Sequence, residues 1–138
     1  MEKDLTQIMK KEHEKIDDVF DILRDSKRKD SLKDLYNSLI GHFKREEKIM
    51  DLAFDKKEEI SPLPIAQSLR LEHKKITKIL KNIKGNTREI DPKSLNELFL
   101  ALRHHKNVEE RLFYPKLDRL LTKNQKGYIL QNISPVGG

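Results

Sequence analysis

Apolar residues recur along this chain in steps of three and four, and the pattern is written twice. Between residues 5 and 23 the stripe is Leu5, Met9, His13, Ile16, Phe20 and Leu23; 60 positions later it is Ile65, Leu69, His73, Ile76, Leu80 and Ile83. A second stripe, Leu32, Leu35, Leu39, His42, Glu46 and Ile49, returns 63 positions later as Leu95, Leu98, Leu102, His105, Glu109 and Leu112. Steps of three and four are the period of an α-helix with one buried face. The chain therefore reads as a two-helix unit duplicated in tandem. Short connections between helices make neighbours antiparallel, so the expected fold is all-α, an antiparallel up-down four-helix bundle with a short C-terminal helix.

The boundaries follow from turn-forming and charged stretches. DSKRKD (25–30), DKKEEISPLP (55–64), GNTREIDP (85–92) and NQKG (124–127) interrupt the periodicity. They leave helices over about 3–25, 31–56, 62–84 and 93–122, and a short one over about 124–133, within a single domain spanning 1–138. Ser31 with Asp34 and Ser94 with Glu97 have the spacing of capping boxes, and Pro64 suits a first helical turn. Pro115 is expected to bend the fourth helix. Tyr128, Ile129 and Ile133 are expected to cover one end of the bundle.

The stripes place four histidines and two glutamates among core positions, one histidine to each helix. On the second and fourth helices the spacing is His-x-x-x-Glu, and residues four apart stack on one face. Of the adjacent pair His104 and His105, the repeat matches His105 to His42 and His104 to Gly41, so His105 is the inward one. Two ionised carboxylates in an apolar interior cost several kcal/mol each unless a cation offsets them. Neutral imidazoles with carboxylates form a donor set for a borderline metal. Six such side chains exceed the needs of one tetrahedral zinc. Divided between two metals, with both carboxylates bridging, they give each metal two nitrogens and two oxygens. An oxide or hydroxide bridge would be a fifth ligand, leaving one octahedral position open. That count suits two irons and is compatible with two manganese ions, with zinc as a further alternative. No glutamate has a histidine three residues on, so the ferritin-like ligand pattern is absent.

Composition removes other classes. Without cysteine there are no disulfides, iron–sulfur clusters or thiolate zinc sites. The net charge of +6 comes from 29 basic and 23 acidic residues intermixed along every segment, as on solvated helix faces; no nucleic-acid partner is expected. No apolar run is long enough for a membrane, and the N-terminus lacks the apolar stretch of a signal peptide. A cytoplasmic location is expected.

His13, the segment HFKREE (42–47), His73 and HHKNVEERLFYP (104–115) together resemble the hemerythrin-like, HHE cation-binding domain, from about residue 5 to 121. The resemblance implies a non-haem di-iron centre held by His13, His42, Glu46, His73, His105 and Glu109, with the glutamates and an oxo or hydroxo group as bridges. Oxygen-carrying members have a fifth histidine where this chain has Thr77, and an aspartate where it has Glu110. Four histidines with two carboxylates resemble instead the domains of iron-sensing and iron-centre-repair proteins. The leading expectation is a protein, not primarily an enzyme, that binds or senses O2 or a related diatomic such as NO. Its support is an aliphatic shell of Met9, Ile16, Leu39, Ile49, Leu69, Ile76, Leu102 and Leu112. The alternatives are a di-iron redox enzyme or iron donor (peroxide or NO reduction, iron-centre repair) and an iron-responsive interaction module with a redox or protein partner. Tyr36 and Tyr114, near the site, are candidate proton or electron relays for the enzymatic alternative, and the leading expectation for both is ordinary packing with the hydroxyl at the surface. Glu12, Glu47, Glu72 and Glu110 are read as solvent-facing neighbours of the stripe, each placed to accept the second N–H of a ligand histidine.

Overall fold

The computed structural model describes residues 4–54, 64–85 and 90–133, and no strand occurs among them. The elements are α1 (Leu5–Ser26), α2 (Lys29–Phe54), α3 (Pro64–Gly85), α4 (Pro92–Val108), a π-helical turn (Glu109–Phe113), α5 (Tyr114–Leu120) and α6 (Lys123–Ile133). The expected connections at 55–63 and 86–89, and the tail at 134–138, lie outside the described residues. α1 packs on α2 and α5, α2 on α3 and α6, and α3 on α4. Cross-helix contacts pair Glu12 with Arg45, Asp51 with Arg70, Asp17 with Lys106 and Thr6 with Asp118. The fold is all-helical, and these contacts are consistent with a four-helix bundle. No described helix is long and apolar enough to cross a membrane.

The helices begin where side chains meet their first free N–H groups. Asp4 caps α1 by accepting from the Gln7 amide at 2.8 Å. Asp91 caps α4 by accepting from the Lys93 amide at 3.1 Å, with Pro92 following it in the first turn. Neither expected capping box forms. Ser94 lies three residues inside α4, and Ser31 lies inside α2, buried, with its hydroxyl 2.9 Å from Ser26 Oγ. Aspartate immediately before proline takes the cap of α4 because its short carboxylate reaches the first amides that proline leaves unpaired.

α1 buries Leu5, Met9, His13, Ile16, Phe20 and Leu23, the six positions of its stripe. The apolar residues separate into two clusters. One contains Leu5, Met9, Ile49, Met50, Leu69, Phe113 and Leu117, with Ile129 and Ile133 of α6 covering it. The other contains Ile16, Phe20, Leu35, Leu39, Ile76, Leu80, Leu95 and Leu98. Each fully buried aliphatic side chain contributes about 1.5–3 kcal/mol, so both clusters hold the helices firmly on either side of the layer between them. That layer is polar. Tyr128 departs from expectation: it is 58% exposed, because on α6 it faces away from the side that carries Ile129 and Ile133.

A second departure concerns Leu112, which is 58% exposed, while Phe113 and Tyr114 are fully buried. The π turn explains it. One extra residue in the turn rotates everything after Glu109 by about 100°, one residue's worth of helix. Phe113, Tyr114 and Leu117 thereby take the inward places that the strict repeat assigns one position earlier. The proline-induced disturbance expected beyond the site is thus a π turn within it, with Pro115 just inside the start of α5.

Candidate metal centre

The polar layer contains all six residues singled out by the repeat. His13, His42, His73 and His105 are buried, and Glu46 and Glu109 are fully buried. Their donor atoms form two overlapping sets, His13 with His42, Glu46 and Glu109, and His73 with His105, Glu46 and Glu109; within each set the atoms lie within 4.8 Å of one another. Glu46 and Glu109 are common to both. His13 Nε2 is 2.9 Å from Glu109 Oε1, and His42 Nε2 is 2.9 Å from Glu46 Oε1. His73 Nε2 and His105 Nε2 lie 3.2 and 3.4 Å from Glu46 Oε1, and His105 Nε2 is also 3.3 Å from Glu109 Oε2.

Every Nδ1 points the other way, to a carboxylate outside the cluster. His42 donates to Glu12 Oε1 at 2.5 Å and His73 to Glu47 Oε2 at 2.9 Å. His105 donates to Glu72 Oε1 at 2.8 Å and His13 to Glu110 Oε2 at 2.6 Å. A carboxylate only accepts, so the proton of each neutral imidazole sits on Nδ1 and the Nε2 lone pair faces inward. Expectation placed these four glutamates in solvent with this contact as the lesser reading, whereas all four make it. Each sits beside an inner ligand candidate on its own helix and reaches the histidine of the next.

The inner geometry is that of a cation site. His73 Nε2 and His105 Nε2 face each other at 3.1 Å, an arrangement of two lone pairs that needs a proton or a metal between them. His42 Nε2 and Glu109 Oε2 have no hydrogen-bond partner among the described residues. The 2.9 Å approach of His42 to Glu46 is therefore a charge contact without hydrogen-bond alignment. Buried polar atoms left in this way are costly, and four imidazole nitrogens with two carboxylates are the donors a borderline divalent or trivalent metal takes. The residues present fit a metal.

Without a metal the layer holds itself together with protons. Burial works against a charged His42, but the charge of Glu46 and the hydrogen bond to Glu12 prevail and carry it up to about 9. His105 is likewise raised against its burial, by Glu46 and Glu72. His13 is lowered, chiefly by burial and then by the His42 charge. Glu46, despite complete burial, is held well below the usual carboxylate range by His42 and the other histidines.

Tyr114 corrects another expectation. Its ring is fully buried, not surface-directed, and its hydroxyl donates to Glu46 Oε2 at 2.8 Å. Burial and the Glu46 charge push the phenol well above its ordinary range. The π turn delivers it there, and a strict repeat could not reveal that. Thr77, standing where a fifth histidine would, donates its hydroxyl to the His73 carbonyl at 2.7 Å, back onto its own helix. His104 is 69% exposed and only approaches Glu72 Oε2, at 3.5 Å. Its repeat counterpart Gly41 likewise faces open space.

The family model of the hemerythrin HHE cation binding domain matches residues 4–117. No curated protein and no solved structure gives a match.

Proposed function

The chain belongs to the hemerythrin HHE cation-binding family, and from that membership we propose that it is a cytoplasmic non-haem di-iron protein that binds or senses O2 or a related diatomic such as NO. In this reading the helices form an antiparallel up-down four-helix bundle from a duplicated two-helix unit. His13 and His42 hold one iron, His73 and His105 the other, and Glu46 and Glu109 bridge them. Two irons, when bound, supply a couple between divalent and trivalent states and an open coordination position.

The observation that carries the choice of a diatomic is a cavity of about 20 Å³ directly against the histidines. His13, His42 and His105 form its floor, and Ile16, Leu39, Phe43 and Leu102 its walls. A space of 10–15 Å³ holds about one water-sized sphere, so this one is of a size for a ligand of one or two heavy atoms. Its apolar walls leave few groups that would hold water beside a bound ligand. Asp17 and Lys106 pair at 3.2 Å on its rim, leaving a narrow polar border between cavity and solvent.

A second reading, a di-iron redox enzyme or iron donor, is favoured by Tyr114. Its buried hydroxyl on Glu46 holds a proton one bond away from a bridging carboxylate, where a turnover reaction could use it.

Reconstitution with ferrous iron under anaerobic conditions separates the readings. About two irons per chain are expected from the two donor sets; a single tightly held zinc with no iron uptake would end the di-iron assignment. Optical spectra before and after O2 and NO then decide the use. An adduct that reverses under vacuum supports binding or sensing, and rapid conversion to a diferric protein with no adduct supports the enzyme.

A further inference from the structure

The four outer glutamates follow one rule around the molecule. Glu12 on α1 holds His42 on α2, Glu47 on α2 holds His73 on α3, Glu72 on α3 holds His105 on α4, and Glu110 in the π turn returns to His13 on α1. Each helix thus passes a carboxylate to the next in chain order, and the circuit closes. None of the four reaches the inner cluster, so none is needed to complete it.

We propose that this ring of carboxylates biases the centre toward its trivalent state, lowering the potential at which a ferric ion takes up an electron and so setting how readily the ferrous form that meets a diatomic is reached. The proposal rests on the di-iron reading and specifies its redox poise. An imidazole that donates Nδ1–H to a carboxylate is a more basic ligand through Nε2, and a more basic ligand favours the more highly charged metal. Four negative charges one residue away from the metals act in the same direction. The histidines between are buried, and little water screens that direction.

The ring is uneven, which gives the proposal its test. Arg45 grips Glu12, with Nη2 at 2.6 Å and Nε at 3.0 Å from both oxygens, and so masks its charge. Glu47 is 40% exposed and faces Arg70 at 3.5 Å. Glu110 and Glu72 are more enclosed, at 20% and 25%, and should exert the larger effects.

The experiment is a spectroelectrochemical titration of the iron-loaded full chain, with metal content measured on the same samples. One electron from the electrode reduces one ferric ion to ferrous. Glu110→Gln keeps an oxygen acceptor for His13 but removes the charge. It is expected to raise the reduced-to-oxidised ratio at fixed potential about tenfold, an upward shift of about 59 mV for a one-electron couple. Glu12→Gln should shift less. Arg45→Gln touches no histidine and unmasks Glu12, so it should shift the couple downward. Should Glu110→Gln shed its metal, the sign of the Arg45→Gln shift decides by itself. A role confined to positioning would change metal retention without giving these opposite signs. Two irons retained with an unmoved potential in both variants, or an upward shift in Arg45→Gln, overturns the proposal and leaves the di-iron reading standing. A wild-type chain that takes up no iron pair overturns the di-iron reading itself.

Discussion

His104 and His105 share a peptide bond, yet one is 69% exposed while the other points its Nε2 at both inner glutamates. His105→Ala is expected to cost the protein at least one metal, since it removes an inner nitrogen. His104→Ala should leave metal content near wild type, because it touches only Glu72; elemental analysis after dialysis distinguishes them, and the reverse result would refute the assignment of the inner histidine. The inner six residues were legible because two constraints agree on them, a helical period and an internal repeat. The outer four were harder. Their spacing places each beside an inner residue on its own helix but does not say which neighbouring helix it will meet, and the contact that matters to Glu12, Glu47, Glu72 and Glu110 is made across helices.

At the scale of the element, the π turn is where the repeat stops being a guide. The sequence repeat sets residues up to Glu109 against those 63 positions earlier, and burial agrees at Leu95, Leu98, His105 and Glu109, while Leu102 is half-buried where Leu39 is buried. Beyond Glu109 the extra residue puts Leu112 in solvent and Phe113 and Tyr114 inside. Leu112→Ala should change stability by no more than about 0.5 kcal/mol, as at an ordinary surface position, whereas Phe113→Ala should cost about 3–5 kcal/mol through lost burial and a cavity. Denaturant unfolding of the two variants measures both, and a large loss for Leu112→Ala would restore the unbroken repeat. The available sign was the shift itself: the buried pattern Ile49, Met50, Ala53 of α2 returns as Phe113, Tyr114, Leu117, 64 positions on in place of 63. The caps were misjudged for a different reason. Serine at a plausible spacing competes with aspartate directly before the helix, and Asp91, followed by proline, has the better placed oxygen.

The whole molecule places its most polar layer between two apolar clusters, so protons and metal compete for a site on which the packing of every long helix depends. In the metal-free protein the raised His42, at about 9, adds stability that is fully present below its unfolded value of about 6.5 and is lost as pH rises toward 9. His105, also raised, acts in the same direction, and the depressed Glu46 contributes above about 4.5, the ordinary glutamate range. The lowered His13 weakens the fold only on the acid side of about 6.5. Metal needs the Nε2 positions free of protons and so gains with pH over the interval in which the metal-free form weakens. The drop in melting temperature on chelation should therefore be larger near pH 8.5 than near pH 6.5, and thermal unfolding of metal-bound and metal-free protein at both values checks it; curves that coincide at both would show that metal and fold are not linked. One contact lies far from this layer. Asp118 accepts from the amides of Leu5 and Thr6 and from the Thr6 hydroxyl, across a separation of 113 residues in the first case. On a ribosome adding 5–20 residues each second, the first turn of α1 waits roughly 6–23 seconds for the carboxylate that ties it down. Both donor sets wait almost as long for Glu109, so α1, made before the other described helices, is among the last of them to be secured, and neither donor set is complete until Glu109 has been translated.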